Sequence, residues 1–131
     1  MVLYLLTQMI IKVFLLLLML NHKSELHLIG HLQSNKAKKA VQIFDVIQTI
    51  DSIKIANKIN RYASEIKKKQ RIYLQINIGT NINKTGFNKE EAINVSQTID
   101  QLENIIIEGI MTILPNGLSN KGKKELYQAT Y

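Results

Sequence analysis

The chain contains no cysteine in its 131 residues. That excludes a disulfide framework, thiolate metal sites and a cysteine nucleophile, and it fits a reducing compartment such as the cytoplasm. Serine chemistry lacks its scaffold as well. No serine stands in a glycine-flanked elbow, so no Ser/His/Asp arrangement can be assembled. Carboxylates are few, 10 against 17 lysines and arginines. Asp45, Asp51 and Asp100 fall at predicted helix edges or exposed faces, and Glu90-Glu91 suit a helix cap, which leaves no paired acid and base. His22, His27 and His31 lie near one end at no usual zinc spacing. His27 sits on a predicted buried strand, where a hydrogen-bonded core role outweighs that of a catalytic base. Composition and spacing alone therefore name no reaction, and the catalytic residues expected are none.

The net charge is +7 and the pI about 9.6, which raises the question of an anionic partner. The densest basic run, Lys67-Lys68-Lys69-Gln70-Arg71, falls where a helix should end before a strand, and there it complements the negative end of the helix dipole. Only Tyr62 and Tyr73 are near enough to interleave for base stacking, so no nucleic acid partner is expected.

Hydrophobic residues make up 46% of the chain, enough for one small domain with a real core. Met1 to Leu20 is nearly all apolar, broken by Thr7, Gln8 and Lys12. At about 1.5 Å per residue a helix of that length just crosses a bilayer core. As a signal peptide it is poor, with Lys12 inside it, no positive start and no small-x-small cleavage site. An apolar N-terminal helix is expected here, with membrane contact by residues 1–20 as the less favoured reading. The chain divides into an apolar segment, 1–24, and a domain, 25–131.

From residue 25 the pattern is regular. Leu26–Gly30 reads as a short buried strand, Leu32–Ile43 as a helix and Val46–Ile50 as a second strand. Asp51 or Ser52 caps a helix whose stripe is Ala56, Ile59, Ala63 and Ile66. Ile72–Ile78 is a third strand, with Ile72, Leu74, Ile76 and Ile78 on one face and Tyr73, Gln75 and Asn77 on the other. Asn88 with Glu91 resembles a capping box opening a helix to about Leu102. Ile105–Met111 is a fourth strand, and a last helix begins near Lys121. Strands alternating with long helices predict an α/β fold of parallel βα units, either a doubly wound sheet or part of a (β/α) barrel. The polar Tyr73, Gln75 and Asn77 favour the barrel, with Asn77 at the strand end where barrel enzymes place their sites. The Gly79–Gly86 loop is not a P-loop, because Asn83 stands where a glycine must precede the lysine.

Four segments together carry a family resemblance. His27-Leu28-Ile29-Gly30-His31-Leu32-Gln33-Ser34-Asn35-Lys36 closely resembles the HFIGxLQxNK stretch of the pyridoxal phosphate homeostasis proteins. Gln75-Ile76-Asn77-Ile78-Gly79 with Lys84-Thr85-Gly86-Phe87 resembles their QVNIG…KxGF. Gly109-Ile110-Met111-Thr112-Ile113 is similar to GLMTI, and Thr49-Ile50-Asp51-Ser52 to a strand-end SxD. Order and separations agree over residues 25 to 131.

The resemblance implies a partial (β/α)8 barrel related to the barrel domain of alanine racemase. About four βα units are present, strands three to six of the family barrel, with pyridoxal 5′-phosphate as cofactor. In that family the Schiff-base lysine ends the first strand, and serine- and glycine-rich turns after the last two strands hold the phosphate. No segment here matches those blocks, Leu26 stands where tryptophan is common, and Asn81 where glutamate is frequent. Asn77, Lys84 and Met111 are the matched residues expected to line the pocket mouth. The expectation is a truncated family member that binds the cofactor without a covalent anchor and self-associates when alone. The rival readings are a racemase-like enzyme fragment and a membrane-anchored interaction protein.

Overall fold

The computed structural model describes residues 25–78, 85–114, 117 and 119–128. The expected N-terminal helix and Lys84 lie outside the described residues. Four parallel strands form one sheet: β1 (His27–Leu28), β2 (Val46–Ile50), β3 (Gln70–Gln75) and β4 (Ile105–Met111), in the order β1-β2-β3-β4. Between them run a 3-10 turn (Ser34–Lys36), α1 (Ala37–Ile43), α2 (Ile53–Glu65) and α3 (Lys89–Asp100), and α4 (Asn120–Gln128) follows β4. Each neighbouring strand pair is thus joined by a helical crossover, the connection that parallel pairing requires. Among the described residues the strand order never reverses, as it must in a doubly wound sheet.

One face of the sheet carries the core. Ile47, Ile50, Ile72 and Leu74 interlock with Val41 of α1, Ile59 and Ala63 of α2, and Val95 and Ile99 of α3. The register explains the choice of residues. Ile47 lies beside Ile72, and Ile50 beside Leu74, so the isoleucines of adjacent strands stack toward the helices. Burying each such side chain contributes about 1.5–3 kcal/mol. Helix starts follow their caps. The Ser52 side chain accepts from the Ile55 amide, and Asn88 Oδ1 accepts from the Glu91 amide at 2.7 Å, which satisfies donors that the first helical turn leaves free.

The sequence reading needs correction in five places. β1 is two residues long, because Leu26 is engaged sideways: its amide donates to Asp45 Oδ2 at 2.8 Å and its carbonyl accepts from Asp45 N. The helix read from Leu32 begins later, since Gln33 is extended and a 3-10 turn intervenes. β3 starts two residues early and stops three early. Its first amide, Gln70 N, meets Asn104 O, and beyond Gln75 the Asn77 amide turns to Phe87 O. Ile66, assigned to the apolar stripe, is exposed as the C-cap of α2. His27 is not a core residue: among the described residues β1 pairs with β2 alone, and His27 is exposed.

The basic run has a more specific role than a solvated helix end. Lys68 Nζ donates to the carbonyls of Val41 and Phe44, each at 2.7 Å, closing the C-terminus of α1 and not of its own helix. Partial burial lowers its pKa from the usual lysine value, and Asp45 opposes that. No helix among the described residues is long and apolar enough to cross a membrane.

Candidate functional site

The sheet's other face is polar. Alternation along β3 puts Arg71, Tyr73 and Gln75 there, opposite Ile72 and Leu74. Arg71 begins this face at the N-terminal end, where its guanidinium pairs with Glu25, just ahead of β1, and with Glu108 of β4. Glu108 is available because β4 carries one extra residue between Ile107 and Gly109, which pair with Ile72 and Tyr73. Glu25 also meets His27 Nε2 at 3.3 Å, and the Gln48 amide donates to His27 Nδ1 at 2.7 Å. That donation leaves the imidazole proton on Nε2, facing the carboxylate. Hydrogen bonds from Arg71 and His27 lower the Glu25 pKa, and the two carboxylates raise that of Arg71. The network links Glu25 and β1 to β2, β3 and β4.

The C-terminal strand ends differ. Four residues along β3 from Arg71, roughly 13 Å away, Gln75 is buried and its amide donates to Thr85 O at 2.9 Å and Thr85 Oγ1 at 3.0 Å. Phe87 N donates to Gln75 O and Asn77 N to Phe87 O, both at 2.8 Å. The chain after β3 thus returns against the strand end and closes on it. Gly86 makes that possible. Its φ is +124°, and a Cβ there would meet Gln75 O at 2.9 Å and Asn77 N at 3.0 Å, closer than a side chain allows.

This closure sets Asn77 at the strand end, half-buried, beside the end of β4, where Met111 pairs with Gln75 and accepts from Ile76 N at 2.8 Å. Of the three expected pocket residues, Asn77 and Met111 therefore stand near each other at the C-terminal strand ends, and Lys84 lies outside the described residues. Gly109 keeps the same face open to Tyr73, whose ring would lie 3.2 Å from an added Cβ.

Two features of this end were missed from the sequence. His31, after β1, pairs with Asp51, after β2, at 3.2 Å. Their separation of one βα unit, with each residue just past a strand, is the signal that equivalent positions converge. Thr112 Oγ1, directly after Met111, is buried with no hydrogen-bond partner, a hydroxyl able to serve a ligand's polar atom. Among the described residues no group of His, Asp or Glu is placed to hold a metal ion. No lysine stands at the C-terminal end of any of the four described strands. Among the described residues the C-terminal strand ends thus carry polar side chains and no amine.

Parallel βα units joined by helical crossovers, with polar side chains at the C-terminal strand ends, define a parallel α/β protein. The family model described as alanine racemase, N-terminal domain, matches residues 17–130. The chain belongs to that family. It is 44% identical over 93 residues to the pyridoxal phosphate homeostasis protein of Synechocystis sp., covering 71% of this chain and 43% of that protein. The PipY protein of Synechococcus elongatus, solved without PLP, superposes with a TM-score of 0.75 at 35% identity, over 79% of this chain and 48% of that one. The same protein solved with PLP bound gives a TM-score of 0.70 at 32% identity. The chain thus spans less than half the length of these relatives.

Proposed function

We propose that residues 25–131 are four consecutive βα units of a (β/α)8 barrel wall, and that their function is to form part of a pyridoxal 5′-phosphate pocket in the homeostasis of that cofactor. The observation that carries this is the closed junction at Gly86. It puts Asn77 beside Met111 at the C-terminal strand ends, on a chain similar to a protein solved with PLP bound. Asn77 offers the cofactor a polar contact and Met111 an apolar, polarisable one. Lys84, seven residues after Asn77 in the sequence, is the cation that the matched KTGF segment would offer the anionic cofactor. The bound cofactor would contribute an aldehyde and an electron-accepting ring. The described strand ends offer no amine to hold it covalently.

The test is a chimera. Residues 25–114 replace the corresponding segment of the Synechocystis relative, and pyridoxal phosphate binding is followed by visible absorbance. Binding by the chimera, weakened by Asn77→Ala and Met111→Ala, supports the reading. A folded chimera that binds no cofactor refutes it.

The outer edge of β4 supports a second proposal, self-association. Ile106, Ile110 and Ile113 are exposed there, and among the described residues β4 pairs on one side only. An open strand edge flanked by apolar side chains favours contact between copies.

A further inference from the structure

Asp51 is a carboxylate without a permanent cation. Its side chain is only 11% exposed, and its ion-pairing contact among the described residues is the His31 imidazole, with Nδ1 at 3.2 Å from Oδ2. Glu25, Glu65 and Glu108 each meet a lysine or arginine. The chain carries 17 lysines and arginines, yet none of the described ones pairs with Asp51. Its second oxygen, Oδ1, has no donor among the described residues. The buried side-chain atoms without partners there are Gln70 Oε1 and Thr112 Oγ1, so Asp51 Oδ1 is open to solvent.

The pair is held in place from both sides. Thr49 Oγ1 donates to Gly30 O at 2.8 Å just before His31, and Lys58 Nζ donates to Ser34 Oγ at 3.2 Å just after it. Asp51 follows Ile50, which pairs with Leu74. One residue further along the ladder Asp51 stands beside Gln75, about 4.8 Å away, and Gln75 pairs with Met111. The pair thus belongs to the same row of strand-end residues as Met111.

The donor and acceptor count selects a ligand class. A carboxylate only accepts, so the Nδ1 that faces it carries the imidazole proton, and Nε2 presents a lone pair. The His31 side chain is 57% exposed, so this acceptor also faces solvent. A free carboxylate oxygen beside an exposed acceptor suits a cation with several N–H donors and repels an anion. We propose that Asp51 is a subsite for the primary ammonium group of a small amine. Oδ1 accepts from the ammonium, and His31 is a positioning residue that occupies Oδ2 and fixes the carboxylate. The proposal rests on the pocket proposed at these strand ends. The cofactor takes no part in its test, so failure of amine binding and failure of cofactor binding are separate results.

The test is NMR of the full chain with isotope-labelled histidine, titrated with propylammonium chloride at about pH 8, where an imidazole is ordinarily neutral and an alkylamine charged. The expected result is a saturable shift of the His31 ring signal, with that of His27 unmoved. Tetramethylammonium has the same charge and no N–H donor, and should bind about tenfold more weakly. Asp51→Asn, nearly isosteric, should weaken propylammonium binding by about tenfold. Followed at the Asp51 amide, His31→Ala should weaken it by about threefold, and His31→Gln, which keeps a donor for Oδ2, should restore it.

An unsaturable shift, equal binding of tetramethylammonium, or undiminished binding by a folded Asp51→Asn chain would overturn the proposal. So would an equal shift of His27, whose carboxylate Glu25 already holds Arg71. A saturable shift with inorganic phosphate and none with propylammonium would make this an anion site instead. If Asp51→Asn loses its dispersed spectrum, the comparison of the two ammonium ions on the parent chain decides.

Discussion

Gly86 is the residue on which the closure of the site depends, and Gly86→Ala tests that dependence quantitatively. At φ +124° an alanine is strained by on the order of 1–3 kcal/mol. Its Cβ would also press on backbone, Gln75 O at 2.9 Å and Asn77 N at 3.0 Å, and backbone at a strand end cannot swing aside as a side chain can. Relief requires moving Phe87 away from Gln75, which gives up the two hydrogen bonds Phe87 N–Gln75 O and Asn77 N–Phe87 O, each contributing about 1 kcal/mol. Reduced freedom of the unfolded chain offsets about 0.4–1 kcal/mol. The net expectation is a loss of about 2–4 kcal/mol. Urea denaturation should show it as a lower midpoint with an unchanged slope, and hydrogen exchange should show faster exchange at the Asn77 and Phe87 amides. Gly30→Ala is the control. A Cβ there meets nothing within 4 Å, so it should stay within about 0.5 kcal/mol of the parent. If Gly86→Ala and Gly30→Ala unfold at the same midpoint, the closure argument is wrong.

The remaining expectations concern core, charge and edge. Ile59→Ala, at a side chain with 0% exposure, should cost about 2–5 kcal/mol by chemical denaturation, whereas Ile53→Ala on the exposed side of α2 should cost well under half of that. Glu25 has a folded pKa below its ordinary value of 4.5, held there by Arg71 and His27. Its stabilising contribution is therefore present above about pH 4.5 and lost as pH falls through the lowered value. The difference in melting temperature between the parent chain and Glu25→Gln should shrink across that acid window. It should also shrink with added salt, because the pair is exposed; a constant difference would contradict the assignment. Sedimentation velocity should show the mean sedimentation coefficient rising with concentration, and Ile110→Lys on β4 should reduce the rise. An equal rise in both would place the contact elsewhere.

Much of the fold was legible because side-chain periodicity and capping are local. β2 and β4 have the bounds that their apolar runs predict, Asn88 starts the helix it was expected to start, and of the two candidate caps Asp51 and Ser52 it is Ser52 that serves. The errors fall where backbone partners decide. Alternation from Ile72 to Ile78 identified the core face correctly, yet it carries no information on where ladder pairing yields to the Phe87 return. His27 was misplaced because a two-residue strand that pairs on one side among the described residues has the same local sequence as a buried one.

The site was legible only through its motifs. Nothing in composition links Arg71 to Glu25 and Glu108, 46 and 37 residues away. Parallel register brings them together, and register depends on the whole sheet. The QINIG and KTGF segments were recognisable as a pair, and the positive φ of Gly86 supplies the physical reason for their glycine.

The central claim is that this chain supplies wall and mouth to a pyridoxal phosphate pocket without anchoring the cofactor covalently. Incubation of the full chain with pyridoxal phosphate, borohydride reduction and peptide mapping by mass spectrometry test it most directly. The account predicts low labelling spread over surface lysines, with no saturation at one cofactor per chain. Stoichiometric, saturable labelling of a single lysine, Lys84 included, would contradict it.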